Sequence, residues 1–159
     1  MATNKQYHFV CRNPQKYAGD ARRIIVRSTW ELAYCQALDN SNMVLKWISE
    51  PRNLNISYVS PIDKKIHQYW PDFLVQYVGG EIELLEIKPK KEALAENAKS
   101  LYDKLSLIKN IAKWKAGDNF AKSIGGRFRV ITEDQLFRRK STRQTNRTRS
   151  TTRTRGTSK

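Results

Sequence analysis

Two strand-like runs, Asp72-Phe73-Leu74-Val75-Gln76-Tyr77-Val78 and Ile82-Glu83-Leu84-Leu85-Glu86-Ile87-Lys88, flank Gly79-Gly80, and this hairpin constrains the chain more than any other segment. Acids placed inside apolar strands are costly unless something pairs with them. Glu86 and Lys88 stand two apart and share a strand face, and Asp72 opens the partner strand. The register decides whether they meet. A three-residue loop that pairs Tyr77 with Glu81 sets Asp72 opposite Glu86, whereas a two-residue turn at Gly79-Gly80 sets it opposite Ile87. We therefore expect a three-residue loop or a bulge at this turn.

In that register two carboxylates repel each other unless a cation lies between them, and hard oxygen donors suit Mg²⁺ or Mn²⁺. The Ile87 carbonyl offers a further oxygen. An ion held there polarises a phosphate and acidifies a bound water, and Lys88 steadies developing charge or orients the water. This is the equipment of a metal-dependent phosphodiesterase.

The charge agrees with a phosphate polymer as substrate. The chain of 159 residues carries 30 basic and 15 acidic side chains, a net charge of +15. Nine of those positive charges, among them Arg138, Arg139 and Lys140, fall in the last 22 residues, leaving +6 on the rest. That stretch has almost nothing apolar to bury, so residues 138–159 read as a disordered basic arm that grips nucleic-acid backbone, and residues 1–137 as one domain. A solubilising tail or a sorting signal is the plainer reading of the arm. No apolar run reaches membrane-spanning length and the polar N-terminus lacks a secretion core, so a cytoplasmic protein without a membrane partner is expected. Cys11 and Cys35 lack a second ligand pair for zinc and are read as reduced structural thiols.

Along the chain, Tyr7–Cys11 alternates like a strand and Ser28-Thr29-Trp30-Glu31 fits a capping box. The helix it opens runs to Asp39, with Trp30, Ala33, Tyr34, Ala37 and Leu38 on the buried face. Val44–Ile48 and Leu54–Val59 follow as strands of a meander that leads through His67–Trp70 into the hairpin. From Lys91 the period turns helical. Leu94, Ala98, Leu101, Leu105, Ile108 and Ala112 form one stripe that should lie on the sheet, until Gly117-Asp118 breaks the helix. A short helical turn through Ile124 and a last strand, Arg127–Ile131, complete an α+β domain: a mixed sheet flanked by an N-terminal helix and a long helix. Trp30, Trp47 and Trp114 are read as core rather than as base-stacking platforms.

The order Pro71-Asp72, then Glu86-Ile87-Lys88, resembles the PD-(D/E)xK nucleases, the restriction-endonuclease-like superfamily. More of the chain, through Tyr17-Ala18-Gly19-Asp20, Arg27–Glu31, Trp47–Glu50, Tyr58–Asp63, His67–Phe73 and Glu86–Lys90, resembles the head completion proteins of T-even-like tailed phages, themselves similar to TnsA-type transposon endonucleases. The resemblance implies a restriction-endonuclease-like core and a DNA nuclease that acts in the host cytoplasm after packaging, when the filled head is prepared for tail joining. Its partners would be DNA and the proteins of the phage head and portal neck. The catalytic set it implies is Glu31, Asp72, Glu86 and Lys88, with Asp72, Glu86 and Glu31 as metal ligands. Arg27, His67, Lys90 and Lys91 are candidate phosphate contacts. Each has a plainer reading, Glu31 as a helix cap and Glu50 and His67 as ordinary paired side chains. A non-catalytic assembly or DNA-binding protein on the same scaffold, or a TnsA-like transposon subunit, are the alternatives. Oligomeric state stays open.

Overall fold

The computed structural model describes residues 5–136. The expected basic arm, with Arg138, Arg139 and Lys140, lies outside them. β1 (Tyr7–Phe9) and β2 (Ile24–Val26) make a small antiparallel ribbon. Three residues are too few for alternation to show in sequence, and β2 had no signal of its own. α1 (Thr29–Asn40) starts where the capping pattern places it, with Ser28 Oγ accepting from the Glu31 amide at 3.0 Å. The reciprocal arm differs: the Glu31 carboxylate accepts from the Ser28 hydroxyl at 2.9 Å and from the Arg27 amide at 3.3 Å. The buried face is also turned by about one residue from the expected one. Tyr34, Cys35, Leu38 and Asp39 are inside, while Ala33 and Ala37 face water.

β3 (Val44–Ser49), β4 (Ile56–Val59), β5 (Ile66–Tyr69), β6 (Phe73–Tyr77) and β7 (Ile82–Ile87) follow, then a single-turn helix α2 (Lys90–Ala93), the long α3 (Leu101–Ser123) and β8 (Arg127–Ile131). They do not form the expected meander. The main sheet has the order β3-β6-β7-β8, antiparallel except for the parallel pair β7–β8, and β4–β5 is a separate hairpin laid beside it. Strand pairing between β3 and β6 skips the intervening hairpin, a choice made by packing that local pattern does not carry.

The two sheet faces are covered differently. Trp47, Phe73, Val75, Leu85, Ile87 and Ile131 pack under α1 and the β1–β2 ribbon. On the other face Leu84 meets Ile56, Tyr58 and Tyr69 of the hairpin and Ala121 of α3. Side chains this large contribute roughly 1.5–3 kcal/mol each on burial, so both layers are held chiefly by the strands' apolar alternation.

α3 corrects two expectations. It is capped by Ser100, whose capping box with Asp103 is complete, and it runs straight through Gly117-Asp118 to Ser123, taking in the segment expected as a separate turn. Gly117 is a close-approach position: a Cβ there would stand 3.0 Å from Tyr69 Cε1 and 3.1 Å from Phe128. The apolar stripe also fails to lie wholly on the sheet. Ala112, Ala116 and Phe120 reach the second core, but Leu101, Leu105, Ile108 and Ile111 are exposed, because α3 joins that core only from Ala112 onward. Leu94 and Ala98 precede the helix. Cys11 and Cys35 are free thiols, and burial pushes the Cys35 pKa up to about 12. Among the described residues no helix is long and apolar enough to cross a membrane.

Candidate active site

The β6–β7 hairpin has the register that brings the acids together. Phe73 faces Leu85 and Leu74 faces Leu84, and the Tyr77 amide donates to the Glu81 carbonyl at 2.8 Å, closing a three-residue loop over Val78, Gly79 and Gly80. Gly80 takes the left-handed conformation (φ 93°) that such a loop needs. One step before β6 the same register puts Asp72 across from Glu86. The Asp72 side chain is tied there, its Oδ2 accepting from the Ile87 amide at 2.7 Å.

All four strands of the main sheet converge at this end. Beyond β3 the Glu50 amide donates to the Asp72 carbonyl at 2.8 Å, and beyond β7 the Lys88 amide donates to the Ile131 carbonyl of β8 at 2.9 Å. Lys88 Nζ stands 3.8 Å from Glu86 Oε1, and the buried Tyr69 hydroxyl donates to Glu86 Oε2 at 2.8 Å. Tyr69 is the last residue of β5, so the side hairpin supplies a hydrogen bond to the central strand.

The electrostatics are those of an undercompensated acid pair. Burial, and then the charge of Glu86, push the Asp72 pKa well above the usual carboxylate range, while the Ile87 amide and Lys88 pull it down. Glu86 is raised by burial as well, against the Tyr69 hydrogen bond and the charges of Lys88 and Lys113. Glu31 adds a further repulsion felt by both. Lys113, half-buried on α3, has its own pKa lowered by burial and by Lys109. Asp72, Glu86, Lys88, Lys113 and Glu31 therefore share one electrostatic neighbourhood. Among the described residues, however, no three His, Cys, Asp or Glu side chains are gathered closely enough to hold a metal ion as they stand.

A family model for the N-terminal domain of TnsA-like endonucleases matches residues 41–133, and the head completion nuclease of Enterobacteria phage T4 is 31% identical over 138 residues, 80% of this chain and 91% of that protein. The chain belongs to the TnsA-like endonuclease family. The matched segment contains Asp72, Glu86 and Lys88 on the shared hairpin and leaves Glu31, on α1, outside it. Within this TnsA-like domain the mixed sheet and its flanking helices carry the restriction-endonuclease-like architecture expected from the motif.

The other expected residues are more scattered. Arg27 pairs with Glu50, which also holds Arg52 at 3.2 Å, so Glu50 serves two guanidinium groups at the rim of the site. His67 lies on β5 with Nε2 2.8 Å from Asp63 Oδ2 and its ring stacked on Tyr58. Lys90 binds Asp134 through Nζ at 3.1 Å, and its amide donates to Glu133 at 2.7 Å. Lys91 is exposed on α2, over a hollow shared with Tyr102, Asp103 and Leu107 of α3. Two site residues escaped the sequence reading: Tyr69 and Lys113. Tyr69 lies three before Asp72 and two from His67, but only the side hairpin's position reveals that it points at Glu86. Lys113 had no signal in sequence, since the lysines of α3 are spread around the helix and packing alone selects the one that faces the acids.

Proposed function

We propose that this chain is a divalent-metal-dependent DNA nuclease that works in phage head completion, trimming or nicking DNA when a packaged head is readied for tail joining. The observation that carries this reading is the pairing of Asp72 with Glu86 at a buried strand end, with Lys88 beside them. The near full-length match to a head completion nuclease favours that role over a transposon subunit.

The donor set fits a hard cation. Two carboxylates are buried together, burial raises both pKa values, the charge of Glu86 raises that of Asp72 further, and one ammonium 3.8 Å away does not offset them. Asp72 and Glu86 would hold Mg²⁺ or Mn²⁺, with the Ile87 carbonyl as a further oxygen, and Glu31, in the first turn of α1, would add its charge to the acidic set without ligating as it stands. When bound, such an ion polarises the scissile phosphate and makes water a stronger nucleophile. The protein's own groups do the rest. The Ile87 amide orients Asp72, and the Tyr69 hydroxyl aims Glu86 and favours its ionised form against the effect of burial. Lys88 neutralises charge that develops on the phosphate oxygens, and Lys113 adds a second positive charge from the helix side. Arg27, Lys90, Lys91, His67 and the basic arm, Arg138, Arg139 and Lys140 included, would contact the DNA backbone along the approach.

The test is plasmid cleavage in Mg²⁺ or Mn²⁺ by the wild type, Asp72→Ala and Lys88→Ala, each checked for folding. Cleavage lost in both variants supports the site, and cleavage that persists in both removes it. One observation favours the second reading, a non-catalytic DNA-binding assembly protein: Glu31 is engaged by the helix cap and does not stand with Asp72 and Glu86 as a third ligand. Absence of cleavage from every preparation would establish that reading.

A further inference from the structure

Three of the four tryptophans belong to the interior, and the fourth does not. Trp47 is 1% exposed, Trp30 packs against the first core and the Trp114 indole nitrogen is buried, whereas Trp70 keeps 53% of its surface in water. Its position follows from the strand it leaves. Tyr69 turns inward to Glu86, the next residue turns outward, and buried Pro71 leads to Asp72. Two residues span at most roughly 7 Å, so the indole is confined to the neighbourhood of the acid pair.

A cation holds the ring in place. The Arg52 guanidinium lies 5.5 Å from the ring centroid and is itself gripped by Glu50 at 3.2 Å. Glu50 adopts a left-handed backbone (φ 45°), a strained choice for glutamate, while its amide bonds the Asp72 carbonyl. Glu50 also pairs with Arg27, so indole, two guanidinium groups and the site aspartate are joined by one residue. Both arginine side chains remain more than half exposed. A groove lined by Tyr17, Arg23, Arg27, Glu50 and Arg52 continues from this point.

We propose that Trp70 and Arg52 form a stacking ledge for an unpaired nucleobase, so that the substrate is a tailed, frayed or branched duplex whose single strand leaves past the acid pair. In an intact duplex the base faces are already stacked and offer nothing to an exposed ring, whereas an unpaired base presents its π-face to the indole and its phosphates to Arg27 and Arg52. This deepens the nuclease reading and rests on it.

The test uses the full chain in EDTA, so that nothing is cut. Fluorescence anisotropy compares a blunt duplex, the same duplex with a single-stranded tail, and that tailed duplex with the tail made abasic. The tail should tighten binding about tenfold and the abasic tail should not. W70A should lose that gain and W70F should keep most of it. Equal affinity for the normal and abasic tails overturns the ledge. So does an unchanged tail preference in W70A, a result that assigns the exposed indole to a protein partner. Plasmid cleavage in Mg²⁺ separates the two failures. Active wild type, dead D72N and an indifferent W70A sink the ledge alone. Tail preference that depends on Trp70, without cleavage by any preparation, sinks the nuclease and leaves the ledge as a binding site.

Discussion

Glu83 and Glu86 lie three apart on β7, both nearly sealed from water at 2% and 7% exposure, and their fates differ. Odd spacing puts them on opposite faces of the sheet. Glu83 is met by Arg127 at 2.7 Å and Arg129 at 3.0 Å, both from the parallel neighbour β8, which surround its carboxylate with charge-assisted hydrogen bonds. Glu86 receives one phenol, a lysine at 3.8 Å and the charge of Lys113, against burial and the repulsion of Glu31, and its own charge bears on the neighbouring Asp72. A buried acid satisfied by arginines is architecture. One left short of positive charge, beside another acid, is a place prepared for something the chain does not itself provide.

The largest expected difference is catalytic. Glu86→Gln should lower plasmid cleavage by about a thousandfold, and Glu83→Gln should leave the activity of the folded protein near wild type. Equal losses in the two variants would erase the distinction. Next in size is the response to metal. Mg²⁺ at a hundred times its dissociation constant should stabilise the wild type by about 2.7 kcal/mol and Asp72→Asn scarcely at all, as thermal melts with and without the ion would show.

Without metal the two glutamates should give opposite signs. Glu83→Gln should cost about 1–3 kcal/mol, because it breaks bonds to two arginines, and Asp72→Asn or Glu86→Gln should stabilise by on the order of 1 kcal/mol. The same imbalance predicts a pH dependence. Folded-state pKa values above the ordinary range mean that the folded protein holds protons the unfolded chain has released. Metal-free stability should therefore rise as pH falls through those raised values, level off near the ordinary carboxylate range, and rise less in Asp72→Asn. Denaturant midpoints across pH 4–8 read this directly, and a flat profile would contradict it.

The smallest effect concerns Tyr69. Tyr69→Phe removes the donor that favours the ionised Glu86, so the acidic limb of the cleavage profile should move to higher pH. A limb that stays put would mean that Lys88 and Lys113 alone set the acidity of Glu86.

The site was more legible than the fold around it. Asp72, Glu86 and the glycines between them constrain one another, since a strict two-residue turn parts the acids and a three-residue loop or a bulge brings them together, and that inference needs no tertiary information. Which strand lies beside which was another matter. β3 passes over β4 and β5 to pair with β6, and nothing in Val44–Ser49 names its partner. Gly117 departs from the expected break because glycine both ends helices and lets them approach a neighbour closely, and the two uses look alike in sequence. In α1 the stripes through Ala33 and through Cys35 were both apolar enough to be buried, and packing chose the second.

Gly117 carries a consequence that reaches the chemistry. The ring it lets α3 settle against is that of Tyr69, whose hydroxyl holds Glu86. The missing methyl group thus acts like a spacer gauge between helix, hairpin and β8, and any thickening of it presses on the phenol and on Phe128 alike. An acid on the central strand has its affinity for protons set, in part, by how near two backbones lie on the far side of a tyrosine.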